Sequence, residues 1–190
     1  MSFKRIGYCI TGSFCSFSRS LAVLERLVSE YNEVVPIMSE NAYSTDTRFY
    51  RAEDFRSRVE ELCGRAVIHT VADAEPLGPG MPLDALAVSP CTGNTLAKVA
   101  RGITDTAATM AIKAHLRCER PLLIALASND ALSANLGSIA AVIRLRSVYL
   151  VPMRQDDPVR KPHSLVAEIE RVPECLSLME RGVQQRPIFL

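Results

Sequence analysis

Short, continuous apolar runs alternate along the chain with segments of helical periodicity. Six apolar runs predict strands, at residues 4–11, 33–39, 66–72, 83–90, 121–128 and 147–152. Apolar residues that recur every three or four positions predict helices at residues 18–31, 51–64, 95–102, 104–117, 129–146 and 164–182. Because the strands are apolar throughout rather than alternating, the pattern predicts an α/β protein whose largely parallel sheet is covered by helices on both faces.

A few residues mark where the predicted helices begin, end or bend. Gly64 stands where a glycine commonly ends a helix, directly after the apolar face of residues 51–63. Thr104 or Asp105 is expected to cap the helix that follows, since both side chains accept hydrogen bonds from helical N–H groups. Pro173 is expected to kink or interrupt the final helix.

Composition limits the functional classes that remain. The 190 residues suit one domain spanning residues 1–190, and the 22 Lys and Arg nearly balance the 21 Asp and Glu. That balance and the absence of tryptophan argue against an extended nucleic-acid surface. No apolar run approaches the length of a membrane span, and the N-terminus lacks the pattern of a secretory signal, so a soluble cytoplasmic protein is expected.

The cysteines and histidines do not have the spacing of a metal site. None of the six cysteines forms a C-x-x-C pair, and the three histidines are not spaced with them as zinc ligands. Free thiols, several of them in the core, are therefore expected, and no metal is predicted. Cys91, at a strand end, is open to two interpretations, a nucleophile or a packing thiol, and the second is favoured.

Small polar residues follow four of the predicted strands. The loops are TGSFCSFS at 11–18, SENAYSTDT at 39–47, SPCTGNT at 89–95 and ASNDALS at 127–133. In a parallel sheet these loops meet at one edge, which is where ligands bind. Each loop alone is better explained by turn residues and helix caps, but four such loops at one edge favour a polar ligand.

Known phosphate-binding motifs do not account for these loops. The first loop lacks the G-x-G-x-x-G fingerprint, and no P-loop Gly-Lys-Ser/Thr is present, so ordinary nicotinamide and ATP sites are disfavoured. Five basic residues later in the chain suit either a dianionic substrate or a solvated face: Arg144, Arg146, Arg154, Arg160 and Lys161.

The string PCTGNT at 90–95 resembles the Pro-Ala-Ser-Ala-Asn-Thr motif of the flavin-binding cysteine decarboxylase family. TGSF at 11–14 is similar to that family's first flavin-phosphate loop, and Ser39 stands where its second strand ends in serine. The resemblance covers most of the chain. It implies a three-layer α/β/α Rossmann-like fold with a six-stranded, mainly parallel sheet, an FMN cofactor near an interface between protomers, and a homo-oligomer built from trimers.

The resemblance also implies a role for individual residues. Gly12, Ser13 and Phe14 would surround the FMN phosphate, and Ser39 would contact the flavin. The isoalloxazine ring would lie beside two further groups, which are Pro90, Thr92, Asn94 and Thr95 on one strand end and Ala127, Ser128 and Asn129 on the other. Asn94 is the candidate catalytic residue, because its amide can orient a substrate carboxylate or a flavin edge.

Two departures from the family separate this chain from the cysteine decarboxylases. The segment AEPLGPG at 74–80 lacks their catalytic histidine, and ALASNDALS at 125–133 lacks the methionines of their substrate clamp. Three longer strings, at 7–15, 90–106 and 151–168, resemble one branch whose members oxidise a cyclic dicarboxylate together with a nicotinamide-binding partner protein. A decarboxylase or flavin prenyltransferase relative, and a non-catalytic flavin-binding or stabilising component, stay open as alternatives.

Overall fold

A single mixed sheet organises the fold. The structure is a computed structural model that describes residues 3–190, and in this part of the chain seven strands pair in the order β2-β1-β3-β4-β7-β6, with β5 on the first half of β4. The strands are β1 (Arg5–Ile10), β2 (Glu33–Met38), β3 (Ala85–Thr92), β4 (Leu122–Ser128), β5 (Val148–Leu150), β6 (Met153–Arg154) and β7 (Leu165–Ala167). β1 to β5 pair in parallel and β7 pairs antiparallel to β4 and β6. The predicted α/β fold with a mainly parallel sheet is confirmed.

Helices flank the sheet. They are α1 (Phe17–Glu30), α2 (Glu40–Ser44), α3 (Ala52–Cys63), α4 (Val71–Ala74), α5 (Gly93–Arg101), α6 (Ala107–Leu116), α7 (Leu136–Ile143) and α8 (Val172–Met179), with short 3-10 turns at Phe14–Ser16, Glu75–Leu77 and Ile169–Arg171. All seven residues of β4 and the first seven of β3 are buried. Strands buried on both faces explain why these runs are continuously apolar.

Three predicted elements are wrong in part. The strand predicted at 66–72 is reduced to an isolated bridge between Ile68 and Ile37, because Thr70 caps α4 and turns the chain into a helix. The helix predicted at 164–182 begins only at Val172. Residues 165–167 form β7 instead, and Pro173 lies in the first turn of α8, where its missing N–H removes no hydrogen bond.

The helix predicted at 129–146 begins seven residues late, at Leu136, since turns occupy residues 129–135. Gly64 ends α3 with a φ of 64°, as predicted. The predicted cap of α6 is wrong: the capping residue is Thr106, not Thr104 or Asp105. The Thr106 hydroxyl accepts from the N–H of Thr109 at 3.2 Å, and the Thr109 hydroxyl accepts from the N–H of Thr106 at 3.1 Å.

Thr106→Ala is expected to lower the free energy of unfolding by about 1 kcal/mol, because it leaves the N–H of Thr109 without its acceptor. Chemical denaturation monitored by circular dichroism measures the change. Thr104→Ala is the matched control, because Thr104 makes no side-chain hydrogen bond among the described residues. A loss at Thr104 equal to that at Thr106 would contradict the assigned cap.

Candidate functional site

The sheet edge formed by the strand C-termini opens into a large cavity. The chain reverses its direction of strand addition between β1 and β3, and ligands of open α/β sheets bind at such switch points. The cavity has a volume of about 1020 Å³, which lies at the upper end of the range for cofactor sites. Its lining combines the loops after β1, β3 and β4 with the loop between α2 and α3 and the segment from β6 to β7. The lining residues are Gly12, Ser13, Phe14, Cys15, Ser16, Arg19, Arg48, Phe49, Thr92, Gly93, Asn94, Ala127, Ser128, Asn129, Asp130, Asp156, Lys161, Ser164 and Val166.

The loop after β1 presents free backbone donors to this cavity. The N–H of Ser13 donates to the carbonyl of Thr11 at 2.7 Å, which folds the loop back on itself. Among the residues that the structure describes, the N–H groups of Gly12 and Phe14 have no hydrogen-bond acceptor. Unsatisfied N–H groups that precede a long helix form an anion-binding site, so this loop suits a phosphate.

Thr11 joins the β1 loop to the end of β3. Its hydroxyl donates to the carbonyl of Pro90 at 2.9 Å and accepts from the N–H of Thr92 at 2.9 Å. Thr92 in turn caps α5 by accepting from the N–H of Thr95 at 3.3 Å. Pro90 is buried and lines neither cavity, so its contribution is to hold the loop through its carbonyl.

Gly93 lies against a polar cluster that ends β4. The Ser128 hydroxyl donates to the Asp130 carboxylate, and the Asn135 amide donates to both Asp130 oxygens at 2.9 and 3.0 Å. These hydrogen bonds lower the pKa of Asp130, chiefly the bond from Ser128, so the carboxylate is ionised. A Cβ at position 93 would meet the Ser128 hydroxyl and would lie 2.8 Å from the Asn135 amide nitrogen. Only glycine lets the strand ends approach this closely.

A smaller cavity of about 250 Å³ opens on the other side of Gly12 and Thr92. Ser39, Asn94 and Thr95 line it, together with Lys98 and Thr106. The Ser39 hydroxyl caps α2 by accepting from the N–H of Ala42 at 3.4 Å. Because Gly12, Thr92 and Asn94 line both cavities, the two form one connected region of the sheet edge.

The structure thus brings together every predicted site residue except Pro90. Gly12, Thr92 and Asn94 line both cavities. Ser13, Phe14, Ala127, Ser128 and Asn129 line the larger one only, while Ser39 and Thr95 line the smaller. Asn94, the candidate catalytic residue, is exposed at the junction.

Sequence reasoning does not identify four charged residues that line the larger cavity: Arg19, Arg48, Asp130 and Asp156. It considers Lys161 only as part of a basic group, of which Lys161 alone lines the cavity. Asp130 lies within one of the strand-end loops, so its position is the signal that could have found it. Arg48, Asp156 and Lys161 reach the cavity through tertiary folding that no local pattern indicates.

None of the three histidines lines either cavity. His69 stacks on Tyr43 with ring centroids 3.8 Å apart. His115, late in α6, has a position typical of a cap or a solvent-facing residue, but it is buried, and its Nε2–H donates to the carbonyl of Pro121 at 2.9 Å. Burial lowers the pKa of His115 to about 4, so the ring is neutral at pH 7.

The cysteines agree with the prediction of free thiols, several of them in the core. All six are free, and Cys9, Cys91 and Cys175 are buried. Burial raises the pKa of Cys91 to about 12, which leaves it without the thiolate character that a nucleophile needs. Among residues 3–190, no helix has both the length and the apolar character that a membrane crossing requires.

Comparison with known proteins agrees with this geometry. Residues 1–175 match the model of the Flavoprotein family. The B subunit of dipicolinate synthase from Bacillus subtilis (strain 168) is 36% identical over 187 residues, which cover 98% of this chain and 94% of that protein.

Solved structures are similar to this chain as well. The crystal structure of the dipicolinate synthase B subunit from Bacillus halodurans is 34% identical, with a TM-score of 0.90 over 100% of this chain and 98% of that one. A dodecameric FMN-dependent UbiX-like decarboxylase from Escherichia coli O157:H7 shares the fold, with a TM-score of 0.67 and 22% identity over 96% of this chain and 97% of that one. The predicted family is therefore confirmed: the chain belongs to the Flavoprotein family.

Proposed function

We propose that this chain is the FMN-binding B subunit of a dipicolinate synthase. With the A subunit of that enzyme, it would oxidise a hydroxy-tetrahydrodipicolinate or dihydrodipicolinate to dipicolinate during sporulation. The observation that carries this proposal is the 36% identity to the B subunit of dipicolinate synthase over 98% of the chain.

The lining of the two cavities fits FMN. A flavin needs a phosphate site, a long cleft and a mixed set of donors and acceptors along its ring edge. The free N–H groups of Gly12 and Phe14 suit the phosphate. Thr92, Asn94 and Asn129 offer hydroxyl and amide groups farther along the cavity.

The proposed roles of the chain's residues follow from where they lie. Gly12, Ser13 and Phe14 would hold the phosphate, and Ser39, Thr92 and Thr95 would bind the rest of the cofactor. Ala127, Ser128 and Asn129 would form the opposite wall, and Pro90 would support the site from within β3. Asn94, exposed where both cavities meet, would orient a substrate carboxylate or a flavin edge.

A bound flavin supplies the acceptor for the hydride that leaves the dihydropyridine ring. The protein's share is to place the ring, exclude water and bind the carboxylates. The cavity is large enough for a substrate beside the cofactor. No histidine lines it in the described part of the chain, which argues against a decarboxylase that relies on one.

Assembly is part of the proposal. A cavity this open on the isolated chain suits closure by a neighbouring protomer. A homo-oligomer of trimers or of multiples of trimers is expected from the family resemblance, and the dodecameric decarboxylase shares this fold. The A subunit of dipicolinate synthase is the proposed partner for turnover, and its dicarboxylate is the proposed small-molecule ligand.

The experiment compares dipicolinate formation by the two-component enzyme with FMN-loaded chain, with flavin-stripped chain and without the chain. We expect activity with the FMN-loaded chain and a large loss in the other two mixtures. Full activity with flavin-stripped chain would favour the non-catalytic stabilising component. Carbon dioxide release from a peptidyl-cysteine substrate would instead favour a decarboxylase.

A further inference from the structure

Three cations line the larger cavity, and they come from three separate parts of the chain. Arg19 lies in the first part of α1, Arg48 in the loop between α2 and α3, and Lys161 in the loop between β6 and β7. The β1 loop offers backbone N–H groups to the FMN phosphate, so the cations of the cavity are open to a second ligand.

The three cations differ in how firmly they are held. Nε and Nη2 of Arg19 donate to the two carboxylate oxygens of Glu170 at 2.6 Å, so this arginine is held in a bidentate ion pair. Lys161 pairs with Asp156 in an exposed ion pair, a type that contributes little and exchanges partners readily. Arg48 pairs with no carboxylate among the described residues, and its guanidinium lies 4.8 Å from the centroid of the Phe49 ring.

Arg48 and Lys161 approach the cavity from opposite ends of the sheet edge. The sheet order places β2, which leads to the Arg48 loop, on one side of the central pair β1 and β3. β6 and β7, which enclose the Lys161 loop, lie on the other side, beyond β4. Both cations line the larger cavity, so a ligand there can meet charges carried by loops on either side of β1 and β3.

The cavity also carries negative charge, so an anionic ligand needs these cations in order to bind. Asp130 is ionised and held by Ser128 and Asn135, and Asp156 lies beside Lys161. A dianion that enters such a site is repelled unless a cation meets each of its charges. Arginine suits the task especially well, because its planar guanidinium binds a carboxylate through two parallel hydrogen bonds.

We propose that Arg48 and Lys161 select the ligand of this site as a dicarboxylate, each cation binding one of the two carboxylates across the cavity. This inference rests on the proposed function for the identity of the ring, but the selectivity for two carboxylates is a property of the cavity itself. Arg19 stays with Glu170 and takes no part.

Calorimetric titration of the full chain, with and without FMN, tests the proposal. The probes are pyridine-2,6-dicarboxylate and pyridine-2-carboxylate, which differ by one carboxylate. We expect the dicarboxylate to bind at least about tenfold more tightly, since a hydrogen-bonded charge pair contributes on that order. Arg48→Met and Lys161→Met should each remove about tenfold of dicarboxylate affinity and bring the preference close to one.

Two control variants separate the loss of a cavity cation from the loss of an exposed charge nearby. Arg51→Met removes an exposed arginine at the end of the Arg48 loop, and Arg160→Met removes the exposed arginine directly before Lys161. Neither residue lines the cavity, so both variants should bind like the wild type. FMN affinity should change less than about twofold in the two control variants, since neither of their residues lines the cavity. Equal binding of the two probes by the wild type, or variants that match their controls, would overturn the proposal. Failure of FMN to bind would count against the proposed function alone, because the selectivity is also measured without flavin.

Discussion

Ser13→Asp is expected to weaken FMN binding by about 100-fold or more, because a carboxylate beside a phosphate adds repulsion of several kcal/mol. The same substitution should change riboflavin affinity far less, since riboflavin lacks the phosphate. Ser13 lines the larger cavity beside the free N–H groups of Gly12 and Phe14. Flavin fluorescence quenching on titration into the apoprotein measures both affinities.

Ser18→Asp is the matched control for this prediction. Ser18 is exposed in the first turn of α1 and does not line either cavity, so the same charge is added nearby without entering the site. We expect its FMN affinity to remain within about threefold of the wild type, because exposed charges at this distance are screened by salt. An equal loss for FMN and riboflavin with Ser13→Asp would place the phosphate elsewhere.

Gly93→Ala is the second substitution with a large expected effect. The added Cβ would collide with the Ser128 hydroxyl and would lie 2.9 Å from an Asp130 oxygen. We expect the free energy of unfolding to fall by about 1–3 kcal/mol, as for other overpacked interiors. Flavin affinity should fall at least about tenfold, since Thr92, Asn94 and Ser128 would move with the strand ends that carry them.

Gly137→Ala separates this close approach from the general effect of replacing a glycine. A Cβ at Gly137 in α7 would meet no atom within 4 Å, so this substitution should be neutral or slightly stabilising. Denaturation curves and flavin titrations of both variants measure the difference. A Gly93→Ala protein as stable as Gly137→Ala, with unchanged flavin affinity, would contradict the tight packing of the β3 and β4 ends.

The central strands are predictable because burial on both faces leaves a plain local signal. β1, β3 and β4 are continuous apolar runs, and their C-terminal loops can be identified directly. Most of the candidate site follows from those loops, since parallel strands bring their ends to one edge. The same logic fails where a strand is short: β7 has three residues, and its apolar Leu165 and Ala167 fit a helix equally well.

The charged part of the lining is not predictable for a different reason. Arg48 lies in a loop whose local sequence indicates only exposure, and Lys161 belongs to a basic group that fits a solvated face as well as a substrate site. Tertiary folding brings both residues to one cavity. Gly93 carries a signal only in its residue type, because the need for glycine arises from Ser128 and Asn135, which are distant along the chain. The burial of His115 is equally hidden, since its position late in a helix says nothing of the strand packed against it.

The most direct test of the central claim is the visible absorption spectrum of the purified chain, followed by release and identification of the chromophore. A protein that carries FMN stoichiometrically, or takes it up on addition, is the predicted result. A colourless chain that fails to bind added FMN would contradict a cofactor site at the β1 and β3 loops.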